Sequence, residues 1–301
     1  MINALSILIP TYNNVCVELV KSLQAQAIAL PKFKYEILVA DDGSTLFSTI
    51  KENRIINQFT NCQYIERGKN VGRAVIRNFL AQQAKYPWLL FIDSNMNVIN
   101  PQYLSNYQQT DIEGKDVIYG GYQIKRDALT REQLKNNLRY IFEYESTQNG
   151  NYKERQANPY SDFHTSNFVV KRDIILNYPF DERFFHYGYE DVLWGKTLKD
   201  NHISIEHIDN TLGYEHFINN EAFINKTEES LQTLYQFRTE LTGYSKIIDY
   251  ALILKRHHLY SICTFIYTHL HQKIKLRLID NKNSIFLFNI YKLLYYIHLD
   301  Q

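Results

Sequence analysis

Short apolar segments recur along the first hundred residues, and helical patterns separate them. The segments are residues 4–9, 35–40 and 88–92, and each leads into a polar cluster. Apolar runs of this length are typical of strands that are buried on both faces of a parallel sheet. Helical patterns at residues 18–27 and 71–84 lie between them. This alternation predicts an α/β fold with a doubly wound, mostly parallel sheet.

The polar clusters after these strands mark a candidate ligand site. The residues concerned are Thr11 and Tyr12, Asp41 and Asp42, and Asp93 and Asn95. In doubly wound sheets, ligands bind beyond the carboxyl ends of the strands. Loops are polar in most proteins, so coincidence is the alternative, but three clusters converging on one edge favour a binding site.

The spacing of Asp93 and Asn95 is compatible with a bound divalent cation. Two hard oxygen ligands at positions i and i+2 of a tight turn can face one ion, and diphosphate oxygens would complete its shell. An ordinary turn is the competing interpretation of such a triplet. The sequence contains neither GxGxxG after the first strand nor GxxxxGK[ST], which argues against a dinucleotide enzyme and a P-loop protein.

An acidic pair, Glu190 and Asp191, follows an aromatic, glycine-containing run at residues 184–189. From residue 191 onward the pattern is helical, so the pair is expected at a helix N-terminus, where the ionised form is favoured. An ionised carboxylate beside an aromatic platform suits a general base for a sugar hydroxyl. The alternative is that Asp191 serves only as the helix N-cap.

Bulk properties exclude several classes of protein. The 301 residues carry a net charge of +1, which gives no signature of nucleic-acid binding. The three cysteines are scattered and show no CxxC spacing, as expected in a reducing compartment. No signal peptide and no apolar run of about 18–20 residues is recognisable, so a cytoplasmic protein is expected.

A series of motifs in this order resembles family 2 glycosyltransferases of the GT-A fold. The similarity spans roughly residues 4–216. The segments that carry it are residues 10–13 (PTYN), 41–44 (DDGS), 70–73 (NVGR) with 77–78 (RN), 93–95 (DSN), 166–172 (SNFVVKR), 179–182 (PFDE) and 188–191 (GYED). Each motif alone is unspecific, whereas the ordered set is specific.

The resemblance implies a GT-A-type sheet with a C-terminal helical extension. It also implies inverting transfer of a sugar, of the hexosyl or N-acetylhexosaminyl type, from a nucleotide-sugar donor. UDP is the usual nucleotide in the family. The acceptor would be a hydroxyl of a saccharide or a lipid-linked saccharide, in the synthesis of cell-surface polysaccharide or lipopolysaccharide.

The resemblance assigns roles residue by residue. Asp191 would be the catalytic base, and Glu190 would hold hydroxyls of the donor or the acceptor. The nucleotide-sugar-binding residues would be Pro10, Thr11, Tyr12, Asp41, Asp42, Asn70, Gly72, Arg73 and Ser94. The metal ligands for Mn²⁺ or Mg²⁺ would be Asp93, Asn95 and His216. The second acid of the DxD motif is Asn95 here, and an amide oxygen without charge predicts weaker metal binding.

We expect a catalytic domain at residues 1–230 and a helical region at residues 231–301. Residues 1–100 would form the nucleotide-binding half of the first domain, and residues 101–230 the acceptor-binding half. Residues 246–301 hold eight Lys/Arg and three acidic residues, a net charge of +5. A basic amphipathic stretch favours peripheral contact with the inner face of a membrane, whereas packing on the catalytic domain or in a homodimer is the alternative.

The sequence leaves two other functions to consider, and it leaves the role of residues 120–166 open. A nucleotidyltransferase would need a basic, glycine-rich loop after the first strand, and residues 11–14 offer none. A decayed, non-catalytic module that binds nucleotide-sugars is opposed by the intact acids Asp93, Glu190 and Asp191. Residues 120–166, which end near His164, form either a lid that faces the acceptor or an ordinary surface insertion.

Overall fold

The computed structural model of the chain describes residues 1–147, 151–280 and 284–300. The chain divides into two units. The first consists of Met1–Ile124, Gly150–Phe185 and Glu190–Glu215, and the second of Lys125–Asn149, His186–Tyr189 and His216–Gln301. The strands of the described residues all belong to the first unit, whereas the elements of the second unit are helical.

The strands carry mostly buried apolar side chains, as the sequence pattern predicts. They are β1 (Ala4–Thr11), β2 (Lys34–Asp41), β3 (Cys62–Glu66), β4 (Trp88–Ile92), β5 (Met96–Asn97), β6 (Val117–Tyr119), β7 (Tyr122–Ile124), β8 (Asn167–Lys171), β9 (Ile205–His207) and β10 (Leu212–Tyr214).

Helices follow most of these strands, and a short 3₁₀-helix lies at Arg54–Gln58. The α-helices are α1 (Val17–Ala29), α2 (Phe47–Asn53), α3 (Arg73–Gln83), α4 (Tyr103–Gln109), α5 (Ala128–Leu134), α6 (Leu138–Ser146), α7 (Tyr152–Ala157), α8 (Arg172–Asn177), α9 (Glu190–Asp200), α10 (Asn220–Gln236), α11 (Arg238–Leu241), α12 (Lys246–Arg256), α13 (Tyr260–Ile279) and α14 (Ile285–Leu299).

The central sheet has seven strands in the order β3-β2-β1-β4-β8-β6-β9. Parallel pairs join β1 to β2 and to β4, β2 to β3, and β6 to β9. Strand β8 is antiparallel to both of its neighbours, β4 and β6. The predicted α/β fold with a mostly parallel sheet is confirmed, and β8 is its one reversed strand among the described residues.

The reversal of β8 has a consequence for the edge where β1, β2 and β4 end. Asn167, the first residue of β8, lies opposite Ile92, the last residue of β4. The segment that leads into β8 therefore reaches the same edge as the polar clusters. A second, three-stranded sheet in the order β5-β10-β7 continues from this edge, because β5 begins at Met96, directly after the Asp93–Asn95 triplet.

Aromatic packing fixes α9 against the sheet. The Trp194 ring lies 5.4 Å from the Phe168 ring on β8 and 4.7 Å from the Phe180 ring. Its indole Nε1 donates a hydrogen bond to the carbonyl oxygen of Tyr178 at 2.8 Å. Because Trp194 is buried, these contacts fix the start of α9, one turn before it.

The pattern of residues 130–133, TREQ, is that of a capping box and predicts one polar helix from Thr130 to about residue 145. The structure differs from this prediction in two details. The side chain of Asp127 caps α5 instead, and it accepts a hydrogen bond from the Thr130 amide at 3.0 Å. A second helix, α6, begins after Asn137, which caps it in the same way. Asp and Asn cap a helix N-terminus at least as well as Thr. The spacing between Thr130 and residue 133, which suggested a capping box, therefore did not mark the start of the helix.

The second unit has an apolar core of its own. The buried residues that form one cluster are Leu138, Phe223, Ile224, Leu278, Phe288 and Tyr291, contributed by α6, α10, α13 and α14. Within the described part of the chain, none of the helices combines the length and the apolar character that crossing a membrane requires.

Candidate active site

Two asparagines of the loop after β1, Asn13 and Asn14, connect the ends of three strands. The Asn13 amide donates to Ser44 Oγ at 2.7 Å, and Asn13 Oδ1 accepts from the backbone amide of Thr45 at 2.8 Å. These bonds join the loop after β1 to the loop after β2. The next residue, Asn14, donates from Nδ2 to the carbonyl oxygen of Ser94 at 2.7 Å, which joins the loop after β1 to the loop after β4. The three predicted clusters therefore form one hydrogen-bonded group.

Asp41 is buried at the end of β2 and both of its carboxylate oxygens are engaged. Oδ1 accepts from the Ser44 amide at 2.6 Å, and Oδ2 accepts a hydrogen bond from the Tyr64 hydroxyl. Burial and the bond to this carboxylate raise the pKa of Tyr64, so the phenol stays protonated and keeps donating. Asp41 holds the loop after β2 in shape through these contacts.

Asp42 organises the start of α3. Its two oxygens accept from the backbone amides of Val71 and Gly72, each at 3.0 Å. Burial raises the pKa of Asp42, whereas these two amides and the charge of Arg67 act in the opposite direction. Gly72 has φ of +91°, and a Cβ there would lie 2.9 Å from the carbonyl oxygen of Phe185. A side chain at this position would therefore strain the backbone and displace the chain before α9.

A buried arginine connects the metal-motif aspartate with the acidic pair. Arg77 on α3 is only 1% exposed. Its guanidinium donates from Nη2 to Asp93 Oδ1 at 2.9 Å and from Nη1 to Glu190 Oε1 at 3.1 Å. One rigid, planar cation therefore fixes both carboxylates. Arg73, one turn earlier on the same face of α3, approaches Glu190 to 4.0 Å.

The two members of the acidic pair have different surroundings. The Glu190 side chain is 5% exposed and held by Arg77, whereas the Asp191 side chain is 22% exposed. Asp191 Oδ2 lies 3.3 Å from His164 Nδ1, and Asp191 Oδ1 accepts from the Val192 amide at 2.9 Å. The helix begins at Glu190, so Asp191 lies in the first turn rather than at the N-cap.

Opposing effects act on the pKa of Asp191. Burial raises it, but the hydrogen bond and charge of His164, the Val192 amide and the charge of Arg77 together lower it below the usual range. The N-terminal end of α9 acts in the same direction. Asp191 is therefore ionised at neutral pH and is the more accessible carboxylate of the pair.

The metal-motif residues offer oxygen ligands but no complete cage. The Asp93 side chain is 25% exposed, with one oxygen on Arg77, and Asn95 is half-buried. His216 is exposed and belongs to the second unit. Among the residues that the structure describes, no group of three or more His, Cys, Asp or Glu side chains is arranged to hold a metal ion. Two hard oxygens suit an ion that takes its remaining ligands from a phosphate-bearing molecule.

The other predicted nucleotide-sugar residues lie on the same loops. Thr11 is buried at the end of β1, Pro10 is half-buried, and Tyr12 is 46% exposed. Asn70 Oδ1 accepts from the Gly72 amide at 3.2 Å, so it stabilises the turn before α3. Ser94 contacts Asn14, as described above.

The predicted site residues omitted two side chains that the structure places at its centre, Arg77 and His164. A signal for Arg77 was present, since it lies four residues after Arg73 and so shares its helix face. The sequence indicated His164 only as the end of the candidate lid, because its contact with Asp191 depends on the reversed direction of β8.

Solved structures share the fold of this chain. S. aureus TarS residues 1–349 align with 99% of this chain and 92% of that chain, at a TM-score of 0.52 and 16% identity. The mannosyltransferase PcManGT from Pyrobaculum calidifontis, in complex with GDP-Man and Mn²⁺, aligns with 98% of this chain and 86% of that chain, at a TM-score of 0.56 and 13% identity. The fold is that of GT-A glycosyltransferases.

Comparison of the sequence with protein-family models identifies the family. Residues 6–178, more than half of the chain, match the sequence model described as glycosyl transferase family 2. The chain therefore belongs to glycosyl transferase family 2 and is a glycosyltransferase. Chondroitin synthase of Escherichia coli is 34% identical over 116 residues, which cover 36% of this chain and only 16% of that relative.

Proposed function

We propose that this glycosyltransferase moves a hexosyl or N-acetylhexosaminyl group from a UDP-sugar to a hydroxyl of a saccharide or lipid-linked saccharide, with inversion. The likeness to chondroitin synthase supports a polysaccharide product. A TarS structure in complex with UDP-GlcNAc, at a TM-score of 0.50 and 16% identity, shares the fold. The cellular role that fits this reaction is the assembly of surface polysaccharide or lipopolysaccharide.

One observation carries the proposal: the guanidinium of Arg77 contacts both Asp93 and Glu190. Asp93 belongs to the strand-end cluster that would hold the sugar diphosphate, and Glu190 belongs to the acidic pair that would face the acceptor. The guanidinium of Arg77 therefore bridges these two groups. Asp191, next to Glu190, presents an ionised and partly accessible carboxylate at this place. A donor site and a general base in such proximity are what a single displacement requires.

In the proposed reaction, Asp191 receives the proton of the acceptor hydroxyl. The acceptor oxygen forms a bond to the anomeric carbon while the bond from that carbon to the diphosphate oxygen breaks. The electron pair leaves with the diphosphate. Only one base is needed, and attack from the side opposite the leaving group inverts the configuration. Glu190, fixed by Arg77, would hold a hydroxyl of the donor or the acceptor rather than take a proton.

On the donor side, the loops after β1 and β2 would bind the nucleotide, with Pro10, Thr11 and Tyr12 lining the base and Asp41 or Asp42 reading it. Asn70, Gly72, Arg73 and Ser94 would lie along the ribose and diphosphate. Asp93 and Asn95 would hold Mn²⁺ or Mg²⁺. Such an ion neutralises charge on the leaving diphosphate. Arg73, with a 48% exposed side chain, would contribute a second positive charge.

The substitution Asp191→Asn tests the base. Removing the ionisable group should lower the turnover number by at least about 10³-fold, in the upper part of the usual range for general-base catalysis. The affinity for UDP should stay within about twofold. The control is Asp200→Asn, at the other end of α9, where the side chain pairs with Lys196 at 2.5 Å. Turnover of Asp191→Asn at the wild-type rate would refute the assignment.

We further propose that α13 lies on an anionic membrane surface on the cytoplasmic side. This helix contains no Asp or Glu. Positions 262, 265, 269, 273 and 276 are three or four residues apart and so share one face. On that face Ile262, Phe265 and Leu276 are 55%, 63% and 56% exposed, and Lys273 is also exposed. Exposed apolar side chains together with a lysine match a surface of anionic lipid headgroups.

Vesicle co-sedimentation of the full chain tests this surface. Wild-type protein should sediment with phosphatidylcholine vesicles that contain about a quarter phosphatidylglycerol, and less with pure phosphatidylcholine, because charge attraction adds to apolar burial. A triple variant, Ile262→Ser, Phe265→Ser and Lys273→Glu, should lose most binding. Ile28→Ser, which removes a 65% exposed side chain of α1, is the control.

Two outcomes would overturn the membrane proposal. One is unchanged sedimentation of the triple variant. The other is a molar mass of the triple variant in solution, measured by light scattering, that is lower than the molar mass of the wild type. That result would assign the same face to a homodimer.

A further inference from the structure

The half-exposed imidazole of His164 is held in place by buried neighbours. The preceding residue, Phe163, is 1% exposed, and its ring lies 5.2 Å from that of Phe168 and 5.4 Å from that of Trp194. The following residue, Thr165, is also buried. The backbone at His164 is therefore anchored on both sides, while the imidazole itself is 49% exposed.

Two tyrosine rings limit the orientation of the imidazole. The ring of Tyr119, at the end of β6, lies 6.4 Å from that of His164 in an edge-on arrangement. The ring of Tyr122, at the start of β7, lies 6.2 Å away in a similar arrangement. These contacts leave Nδ1 directed at Asp191 Oδ2, 3.3 Å away. A side chain whose backbone is anchored and whose Nδ1 faces one carboxylate oxygen of the candidate site can orient that carboxylate.

We propose that His164 is a positioning residue, which donates Nδ1–H to Asp191 Oδ2 and, together with the Val192 amide on Oδ1, orients the carboxylate so that a remaining lone pair of Oδ1 faces the acceptor hydroxyl. The inference rests on the proposed function, because it assumes that Asp191 is the base. It adds a residue that touches neither substrate nor donor in this role and acts only through Asp191.

The donor role of His164 survives a change in its protonation state. A neutral imidazole with the proton on Nδ1 and a fully protonated imidazolium both present Nδ1–H, so the hydrogen bond persists on either side of the titration. Among the described residues, Arg77 and Glu190 lie on the side of Asp191. Tyr119, Tyr122, His207 and Arg155 lie on the side of His164. The charge of Arg77 lowers the pKa of Asp191, as His164 does, and this charge would remain if His164 were replaced.

The pH dependence of turnover follows from this bond. Asp191 must be ionised to accept a proton, so activity is lost as the pH falls through its pKa. The bond from His164 contributes to lowering that pKa. Removing the donor therefore raises the pKa, and the loss of activity should begin at a higher pH.

Two substitutions at one position separate hydrogen bonding from packing. His164→Phe keeps a ring against Tyr119 and Tyr122 but has no donor. His164→Asn has no ring, but its Nδ2 reaches about as far as Nδ1 and retains a donor. His202→Asn is the matched control: His202 is exposed and has φ of +56°, a conformation that Asn tolerates well.

The expected result is a change in kcat without a change in binding. His164→Phe should lower kcat about 10- to 100-fold, as loss of an oriented partner commonly does. Its KM for the acceptor and its affinity for UDP should stay within about twofold, and the acid limb of its pH profile should move upward. His164→Asn should recover most of kcat and the original acid limb, and His202→Asn should match the wild type.

The inference fails if His164→Phe keeps the wild-type kcat and acid limb, or if His164→Asn is as impaired as His164→Phe. Parallel assays of Asp191→Asn keep the two proposals apart. An inactive Asp191→Asn with a fully active His164→Phe would overturn only the positioning role. An active Asp191→Asn would overturn the proposed base itself.

Discussion

At the scale of single residues, Arg77 is the most constrained side chain of the site. Burying a guanidinium costs several kcal/mol unless its charge is matched and its donors are bonded. Asp93 and Glu190 provide both, at 2.9 and 3.1 Å, although Nε of Arg77 has no partner among the described residues. The two carboxylates in turn depend on the same cation. The guanidinium of Arg77 forms two directed hydrogen bonds at once, so a lysine could not replace it.

Asn95 is the residue at which this chain departs from the usual metal motif. An amide oxygen coordinates a cation without neutralising its charge. The affinity of the site for Mn²⁺ should therefore be limited by the missing negative charge at residue 95 rather than by the number of ligands. We predict that Asn95→Asp lowers the Mn²⁺ concentration for half-maximal turnover roughly tenfold, which corresponds to about 1.4 kcal/mol of added attraction. The measurement is initial rate against free Mn²⁺ after treatment with EDTA.

A neighbouring asparagine provides the control for this prediction. Asn100 Oδ1 only accepts a hydrogen bond, from the Gln102 amide at 2.9 Å, so Asn100→Asp preserves that contact. It should leave the metal dependence unchanged. Full activity of the wild-type chain in excess EDTA would contradict a role for the cation.

Residue identity made some parts of the site predictable and left others hidden. The acids Asp41, Asp42, Asp93 and Asp191 follow strands or begin a helix, so their positions were open to prediction from local pattern alone. The functions of Asn13 and Asn14 were not, because an asparagine after a strand is equally suited to a simple turn. Only the structure shows that they hydrogen-bond to loops 31 and 80 residues away.

At the scale of secondary structure, the edge formed by β6, β8 and β9 depends on Asp116. Its Oδ1 accepts from Lys171 Nζ at 2.9 Å, and its Oδ2 accepts from the amide and the hydroxyl of Ser204, each at 3.1 Å. Asp116 precedes β6, Lys171 ends β8 and Ser204 precedes β9. One carboxylate therefore connects three strands.

The pKa of Asp116 gives this contact a defined pH dependence. Burial raises the pKa, but the bonds from Lys171 and Ser204 outweigh burial and lower it below the usual value. A carboxyl group whose pKa is lower in the folded state adds stability above its unfolded-state pKa of about 3.9, and this stability is lost as the pH falls through the folded-state pKa. Since the side chain is 26% exposed, solvent screening reduces the gain.

We predict that Asp116→Asn lowers the free energy of unfolding by about 1 kcal/mol at pH 7, and that the difference from the wild type narrows below about pH 4. Urea titrations followed by tryptophan fluorescence at several pH values measure it. Asp111→Asn, whose side chain accepts one bond from the Glu113 amide at 3.1 Å, is the control and should show no such pH dependence. A difference that is constant from pH 7 to pH 3 would contradict an electrostatic origin.

Strand direction explains why the elements were predicted better than their arrangement. The apolar runs of β1, β2 and β4 predict buried strands, and the structure has them within two residues of the expected bounds. Nothing in residues 167–171 distinguishes a parallel from an antiparallel strand. The reversal of β8 is decided by its pairing with β4 and β6, which lie about 50–80 positions earlier in the chain. The contact between His164 and Asp191 depends on that reversal.

At the scale of the whole molecule, both tryptophans of the chain lie in the first unit. Trp88 is on β4 and Trp194 is on α9, and each is buried. The second unit contains no tryptophan, and its described secondary-structure elements are helices. Tryptophan fluorescence therefore reports on unfolding of the unit that holds the proposed nucleotide site, whereas circular dichroism at 222 nm has a large contribution from the helices of the second unit.

This distribution allows the donor nucleotide to be tested on the intact chain. We predict that UDP with Mn²⁺, at about 100 times its Kd, stabilises the first unit by about 2.7 kcal/mol, because only the folded state binds it. For a unit of this size, the fluorescence midpoint should rise by roughly 5–10 °C. GDP and ATP at the same concentration should produce a much smaller shift. The thermal unfolding curve at 222 nm should become broader or biphasic with UDP, since the second unit gains no ligand in this proposal. An unchanged fluorescence midpoint with UDP, or an equal rise with GDP, would contradict the assignment of a uridine nucleotide to the loops after β1 and β2.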